Sequence, residues 1–376
     1  MTKKQVFKIT IFIAIILWLM VHITYCIRMN GDVKDRFVGF YAEKRNTVDV
    51  VMFGSSPVYP CVSTPKIYGD MGITVYPLSS NMQRPVATKY LAKEALKTQD
   101  PDLFIFEMKM WTAEDENLLG NMAHTREVTD NMKYSLNRIN TINAMVDNRL
   151  GEDNKIDPNF NRLYYYFDIF KYHSNWKTLV LPSQLRTFFY SYPDDFKGYV
   201  PETEVGLLDK INCHDVTEVE KMPAEQEEYL DDLIRFLEDN DKDALFVILP
   251  YAVSADEQKK INYIRDYVTD RGYNFLDMNQ HLDEMSFDES SDYKDDGTHT
   301  NIVGAEKATA YLEKYLDENY VKTGILGKKD RRQDKKCRSW DAAYKRWLTA
   351  YEEGKETVAY NLENGIYAEP PKEEEE

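Results

Sequence analysis

The apolar positions of this chain fall into three kinds of pattern. The first is an uncharged run, Ile9–Ile27, long enough as a helix to cross about 30 Å of hydrocarbon. The second is a set of five short apolar runs bounded by turn residues or charges: Val48–Phe53, Ile73–Tyr76, Leu103–Met108, Ala244–Leu249 and Phe275–Met278. Runs of that length and continuity read as strands buried on both faces of a parallel sheet. The third is helical spacing. Val86–Thr98 follows Pro85, a first-turn proline, and Ala224–Asp239 places Tyr229, Leu230, Leu233, Phe236 and Leu237 on one face. Glu257–Arg271 and Ile302–Asn319 complete the set. Strands alternating with helices predict an α/β fold, a three-layer α/β/α sandwich around a five-stranded parallel, flavodoxin-like sheet.

The alternation breaks between Lys109 and Met222. This stretch is too long for a connection and too aromatic for a linker, so residues 110–222 read as a helical insertion. Its densest part is Phe160–Leu179. The same residues suit a subdomain packed on the sheet or a cap that contacts substrate. Beyond the last core helix lies a basic run, Lys328–Arg338, then an amphipathic stretch, Trp340–Tyr351, and the acidic tail Glu373–Glu376. Asp330 and Asp334 dilute the basic run. That favours a linker to a helix packing back on the domain over a contact with anionic lipid or polymer. The expected organisation is an anchor over 1–29, an α/β domain over 30–322, and a C-terminal linker, helix and tail over 323–376.

Composition narrows the partners. The formal net charge is −17, which excludes a broad phosphate-binding face and with it nucleic acid. The apolar N-terminal run is followed by no small-x-small cleavage site, and Tyr25 stands where a lipoprotein would carry a small residue before Cys26. An uncleaved anchor is expected. Lys3, Lys4 and Lys8 precede it, and Arg28, Lys34, Arg36, Lys44 and Arg45 follow it. The short N-terminal tail favours a cytoplasmic N-terminus, with the folded part outside. Cys26, Cys61, Cys213 and Cys337 have neither C-x-x-C spacing nor an even number outside the apolar run, so free thiols are expected over a Cys61–Cys213 bridge. His124, His214 and His281 lack metal-ligand spacing, and neither a metal nor a cofactor is expected.

The candidate chemistry lies in two short strings. Gly54-Ser55-Ser56 directly follows the first strand, and Asp296-Gly-Thr-His299 directly precedes the last core helix. A serine needs a base and a stabilised oxyanion to act as nucleophile. Ser56 sits where a strand gives way to a turn, His299 is the natural base, and Asp296 is the expected orienting carboxylate, with Asp295 and Asp292 as rivals. His173 and Trp176 suit either a sugar-stacking surface or packing within the insertion. Glu107 reads equally as a functional buried carboxylate or a salt-bridged structural one.

These strings resemble the first and last blocks of the SGNH/GDSL hydrolase superfamily, with Ser55 where an aspartate is usual and Asn301, Gly304 and Ala305 trailing the histidine. The resemblance runs from about Val48 to Leu316, interrupted by the insertion. The Gly-Ser-Ser form, with Gln83 after the second strand, is similar to the exported branch containing the D-alanyl transfer protein of teichoic acid and the alginate O-acetylation proteins. Two blocks depart from the family. Glu107-Met-Lys-Met-Trp111 stands where Gly-x-Asn-Asp is expected, and Ser79-Ser80-Asn81-Met82-Gln83 lacks the usual glycine. The oxyanion donors are then expected among the Ser56 N–H, Ser80, Asn81 and Gln83.

The resemblance implies a membrane-anchored, extracytoplasmic serine acyltransferase or esterase. It would act on O-acyl groups of a cell-envelope polysaccharide or teichoic-type polymer beside a membrane-bound O-acyltransferase. The altered middle blocks also suit a non-catalytic adaptor of an envelope-modifying complex, and the triad alone would suit a simple ester hydrolase.

Overall fold

The computed structural model describes residues 1–149, 155–208 and 210–368; the acidic run Glu373–Glu376 lies outside the described residues. Five strands, β1 (Val50–Phe53), β2 (Val75–Pro77), β3 (Leu103–Glu107), β4 (Asp243–Ile248) and β5 (Asn274–Asp277), form one all-parallel sheet in the order β2-β1-β3-β4-β5. The pairing sets Val51 beside Phe104 and Ile105 beside Leu245. Each lies within a residue or two of its expected run, because these are the segments apolar on both faces.

Side chains alternate between two cores. Val51, Phe53, Phe104, Phe106, Phe246 and Ile248 pack on one face with the helical residues Leu91, Leu233 and Ile261. Val50, Met52, Leu103, Ile105, Leu245 and Val247 pack on the other with the helical residues Ile67 and Leu312. The principal helices around the sheet and the insertion are α1 (Lys3–Ile27), α2 (Asp32–Phe40), α3 (Val58–Cys61), α4 (Thr64–Met71), α5 (Thr88–Ala95), α6 (Met122–Thr129), α7 (Leu136–Met145), α8 (Ala224–Asp239), α9 (Ala255–Thr269), α10 (Ile302–Leu316) and α11 (Arg338–Glu363). Ser254 and Glu257 start α9 with a reciprocal capping box, and this fixes its first turn two residues ahead of the expected start.

Helix α1 is long and apolar enough to cross a membrane. Its last turn differs from the rest: Thr24–Ile27 and the following Arg28 are buried in the folded body. The aromatic insertion packs there. His22 Nδ1–H donates to the Phe188 carbonyl at 2.6 Å, Asn175 Nδ2 to the Ile27 carbonyl at 3.1 Å, and Tyr25 stacks on Tyr190. Beneath them, Arg28 Nε donates to Asp168 at 2.8 Å in a buried pair. Trp18, central in the apolar run, packs edge-on against Phe188. Phe188 and Tyr190 of the insertion are therefore spent on the C-terminal part of α1.

The basic run after α10 is tied down. Arg331 places Nε and Nη2 on Asp49 at 2.8 and 2.6 Å, and Arg332 donates to the carbonyls of Gly69 and Asp70. It leads into α11, which extends well past the expected Tyr351. Val358 there joins Val205 and Ile302 in a small core that rewards twelve further residues of helix. All four cysteines are free.

Candidate active site

The carboxyl ends of β1, β2 and β3 lie side by side, and the strand order reverses at β1, where open α/β sheets form their crevice. The β1 strand runs into Gly54 with φ +154°, then Ser55, Ser56, Pro57 and the short helix α3. A Cβ at Gly54 would meet Glu107 Cβ at 2.5 Å, so only glycine lets the turn lie this close to the end of β3.

Glu107 is the floor of this turn. It accepts from Ser55 N–H and Ser55 Oγ–H, both at 3.1 Å, and from Lys109 N–H at 2.7 Å. Burial pushes its carboxyl up, and the Ser55 and Lys109 N–H groups work against that rise. The salt-bridged role does not appear among the described residues: its partners are hydrogen-bond donors. Lys109 lays its ammonium over the Tyr251 ring at 4.4 Å. Burial pulls its pKa down, against the charge of Glu107.

The second string is brought to the first by α10. Asn301 caps it by accepting from Val303 and Gly304 N–H. Thr309 Oγ donates to the Cys61 carbonyl and accepts from Ser63 N–H, while Thr300 Oγ donates to the Pro60 carbonyl. These bonds lock the His299 loop onto α3. Ser56 Oγ then lies 2.7 Å from His299 Nε2.

The carboxylate on the other imidazole nitrogen is Asp295, not Asp296: His299 Nδ1–H donates to Asp295 Oδ2. Asp295 Oδ1 accepts from Gly297, Thr298 and His299 N–H at 3.2, 2.8 and 3.0 Å. One carboxylate thus closes the turn and orients the ring. Burial raises the Asp295 pKa, but the bonds and charge of His299 and the Thr298 N–H outweigh it, leaving the carboxyl at about 2. Asp296 pairs with Lys210 instead. Asp292, the other rival, accepts from Lys307 Nζ at 2.7 Å.

The four expected oxyanion donors separate. Asn81 is committed, donating its N–H and Nδ2 to Glu127 at 2.9 and 3.0 Å and accepting from Tyr59 O–H at 2.7 Å. Ser80 Oγ–H donates to Gln83 Oε1 at 3.5 Å. Gln83 Nε2 is buried with no acceptor, and the Ser56 N–H has none among the described residues.

Sequence reasoning missed the segment after Tyr199. Val200 N–H donates to the Tyr59 carbonyl, Gly206 N–H to the Tyr293 carbonyl, and Leu208 packs beside Gly297. A Cβ at Gly206 would meet the Asp295 carbonyl oxygen at 1.8 Å. That glycine, in an otherwise featureless stretch, is the signal that marked a close approach. Among the described residues no cluster of His, Cys, Asp and Glu has the arrangement of a metal site. No family model and no curated protein matches this chain.

Proposed function

We propose that this protein is a membrane-anchored serine acyltransferase or esterase whose nucleophile is Ser56. The observation that carries the reading is the Ser56–His299–Asp295 relay. It leads from the end of β1 to the cap of α10, with a 2.7 Å contact between Oγ and Nε2. Ser56 Oγ attacks an acyl carbonyl carbon as its proton passes to His299 Nε2. Collapse of the tetrahedral adduct returns that proton to the departing alcohol oxygen and leaves an acyl-serine. An acceptor hydroxyl then gives its proton to His299 and attacks the acyl carbon; collapse of this second adduct breaks the bond to Ser56 Oγ, which takes the proton back from His299 Nε2, water being the acceptor in the hydrolytic version. Asp295 holds the imidazole with Nε2 toward the serine and stabilises the imidazolium. The Ser56 N–H and Gln83 Nε2 are the donors for the oxyanion.

The three-layer, SGNH-like architecture belongs to this reading, as does the placement of α1 in a membrane with the folded part extracytoplasmic. For the acceptor, the reading favours a hydroxyl of a cell-envelope glycan or teichoic-type polymer, with the acyl group supplied by a membrane-bound O-acyltransferase.

The test is labelling of the full chain in detergent with a fluorophosphonate probe, beside turnover of a p-nitrophenyl ester. Ser56→Ala is expected to abolish both. Labelling and turnover that survive the substitution would sink the assignment. Partition of the acyl group between an added oligosaccharide and water separates transferase from hydrolase.

A further inference from the structure

Part of the insertion leaves its apolar side chains outward. Phe167, Phe170, Trp176, Val180, Leu185 and Phe189 are each half or more exposed, and large apolar side chains exposed together on one subdomain mark an interaction surface. The segments that carry Phe170, Trp176, Val180 and Leu185, namely Ile169–Tyr172, His173–Val180 and Pro182–Leu185, pack directly on α1. The patch is therefore continuous with the one helix among the described residues that is long and apolar enough to cross a membrane.

Depth follows from helix geometry. At about 1.5 Å per residue, His22 lies about 7.5 Å and Trp18 about 13.5 Å along the axis below Ile27, the last apolar residue before Arg28. Phe188 stacks on His22 with centroids 4.8 Å apart and meets Trp18 at 5.7 Å; Phe189 meets His22 at 5.6 Å. If α1 spans, these phenylalanines cannot stand in water. Their depth is that of an interfacial element buried about 5–10 Å at the headgroup–acyl boundary. Charge agrees. Residues 163–192 contain Lys171, Lys177 and Arg186, the last paired with Asp35, and a single acid, Asp168, which is buried in its pair with Arg28, in a chain of net charge −17. Cations on long stems, interspersed with aromatics and with no acid exposed among them, suit an anionic headgroup layer.

We infer that residues 163–192 form a monotopic seat, sunk into the outer leaflet beside α1, which holds the α/β domain against the bilayer. The inference rests on the reading of α1 as a membrane anchor. The occupant of the face is lipid; a multi-span protein partner is the competing outcome.

The experiment uses the full chain reconstituted into phosphatidylcholine–phosphatidylglycerol vesicles with no other protein. Flotation on a density gradient reads the anchor. Collisional quenching reads the seat, with the Trp176 signal isolated as the difference between wild type and Trp176→Phe. Lipid brominated near the headgroup is expected to remove more than half of the Trp176 signal, and aqueous iodide little of it. A chain that floats while its Trp176 is quenched by iodide and untouched by brominated lipid overturns the seat and leaves the anchor standing. It would mark the face as one that a protein covers. A chain that does not float overturns the anchor, and the seat with it.

Discussion

Asp295 does two jobs with its two oxygens, and this separates it experimentally from its neighbour. Replacing it by Asn keeps the shape but offers His299 an amide in place of a carboxylate, which favours the wrong tautomer. Ester turnover should fall on the order of 10⁴-fold, the size of the loss when a triad aspartate becomes asparagine, while Asp296→Asn stays near wild type. Initial rates on one activated ester decide it. Stability carries a second signature. The Asp295 carboxyl sits at about 2 in the folded chain, below the ordinary value of about 3.9. A depressed carboxyl stabilises the fold fully above its unfolded pKa, and that contribution is lost as pH falls through the folded one. Urea denaturation between pH 4 and pH 2 should therefore cost the wild type about 2 kcal/mol more than Asp295→Asn. Gln83 is the third residue-scale prediction. Its Nε2 is buried without an acceptor among the described residues, so Gln83→Ala should lower kcat by about 10²–10³-fold, the worth of one oxyanion donor, with KM little changed. An unchanged kcat would remove Gln83 from the oxyanion site.

At the scale of elements, the parallel strands and α8 were legible because a segment buried on both faces, or on one helical stripe, carries its own pattern. The choice between Asp295 and Asp296 was not. Both lie before the same histidine, and spacing alone favours the one three residues back. What decides is the turn: Asp295 Oδ1 gathers three successive N–H groups, a geometry that sequence does not write down. The insertion was legible as aromatic but not as directed toward α1, because its periodicity is broken into short helical turns. Helix α11 was underestimated for a related reason. Its second half is held by contacts with Val205 and Ile302, far away in the chain, while Glu352, Glu353 and Gly354 look locally like an ending. Its first turn is the firmer clasp. Trp340 is fully buried against Tyr68 and Tyr76, and its Nε1–H donates to Glu43 at 2.8 Å. Trp340→Ala should destabilise the chain by about 3–5 kcal/mol, read as a shift of the denaturation midpoint. A cost below 1 kcal/mol would show that α11 is a peripheral strap.

At the scale of the whole molecule, the place where the apolar part of α1 ends and the folded body begins decides which part of the chain can be studied alone. Apolar patterning puts the boundary near residue 29, just after the last uncharged position. Packing puts it earlier. Tyr25 stacks on Tyr190 and accepts from Tyr134 N–H at 3.0 Å. Arg28 is buried in a cage of Tyr25, Tyr134 and Tyr190 and neutralises Asp168. A chain beginning at residue 30 loses both. It strands Asp168 in the interior with Arg138 at 3.4 Å as its remaining ion-pair partner, and it uncovers the aromatic wall that α1 had closed. Removing one partner of a buried pair costs about 3–5 kcal/mol, a large share of the 5–15 kcal/mol that holds a typical domain together. The residue 30–376 fragment should therefore melt well below the full chain or aggregate, whereas a fragment beginning at residue 20 keeps Tyr25, Cys26 and Arg28 and recovers most of the difference. Thermal denaturation of the two fragments in the same detergent separates the cases. Equal midpoints would mean that the buried end of α1 adds nothing to the fold, and that the domain hangs from this helix instead of being built around it.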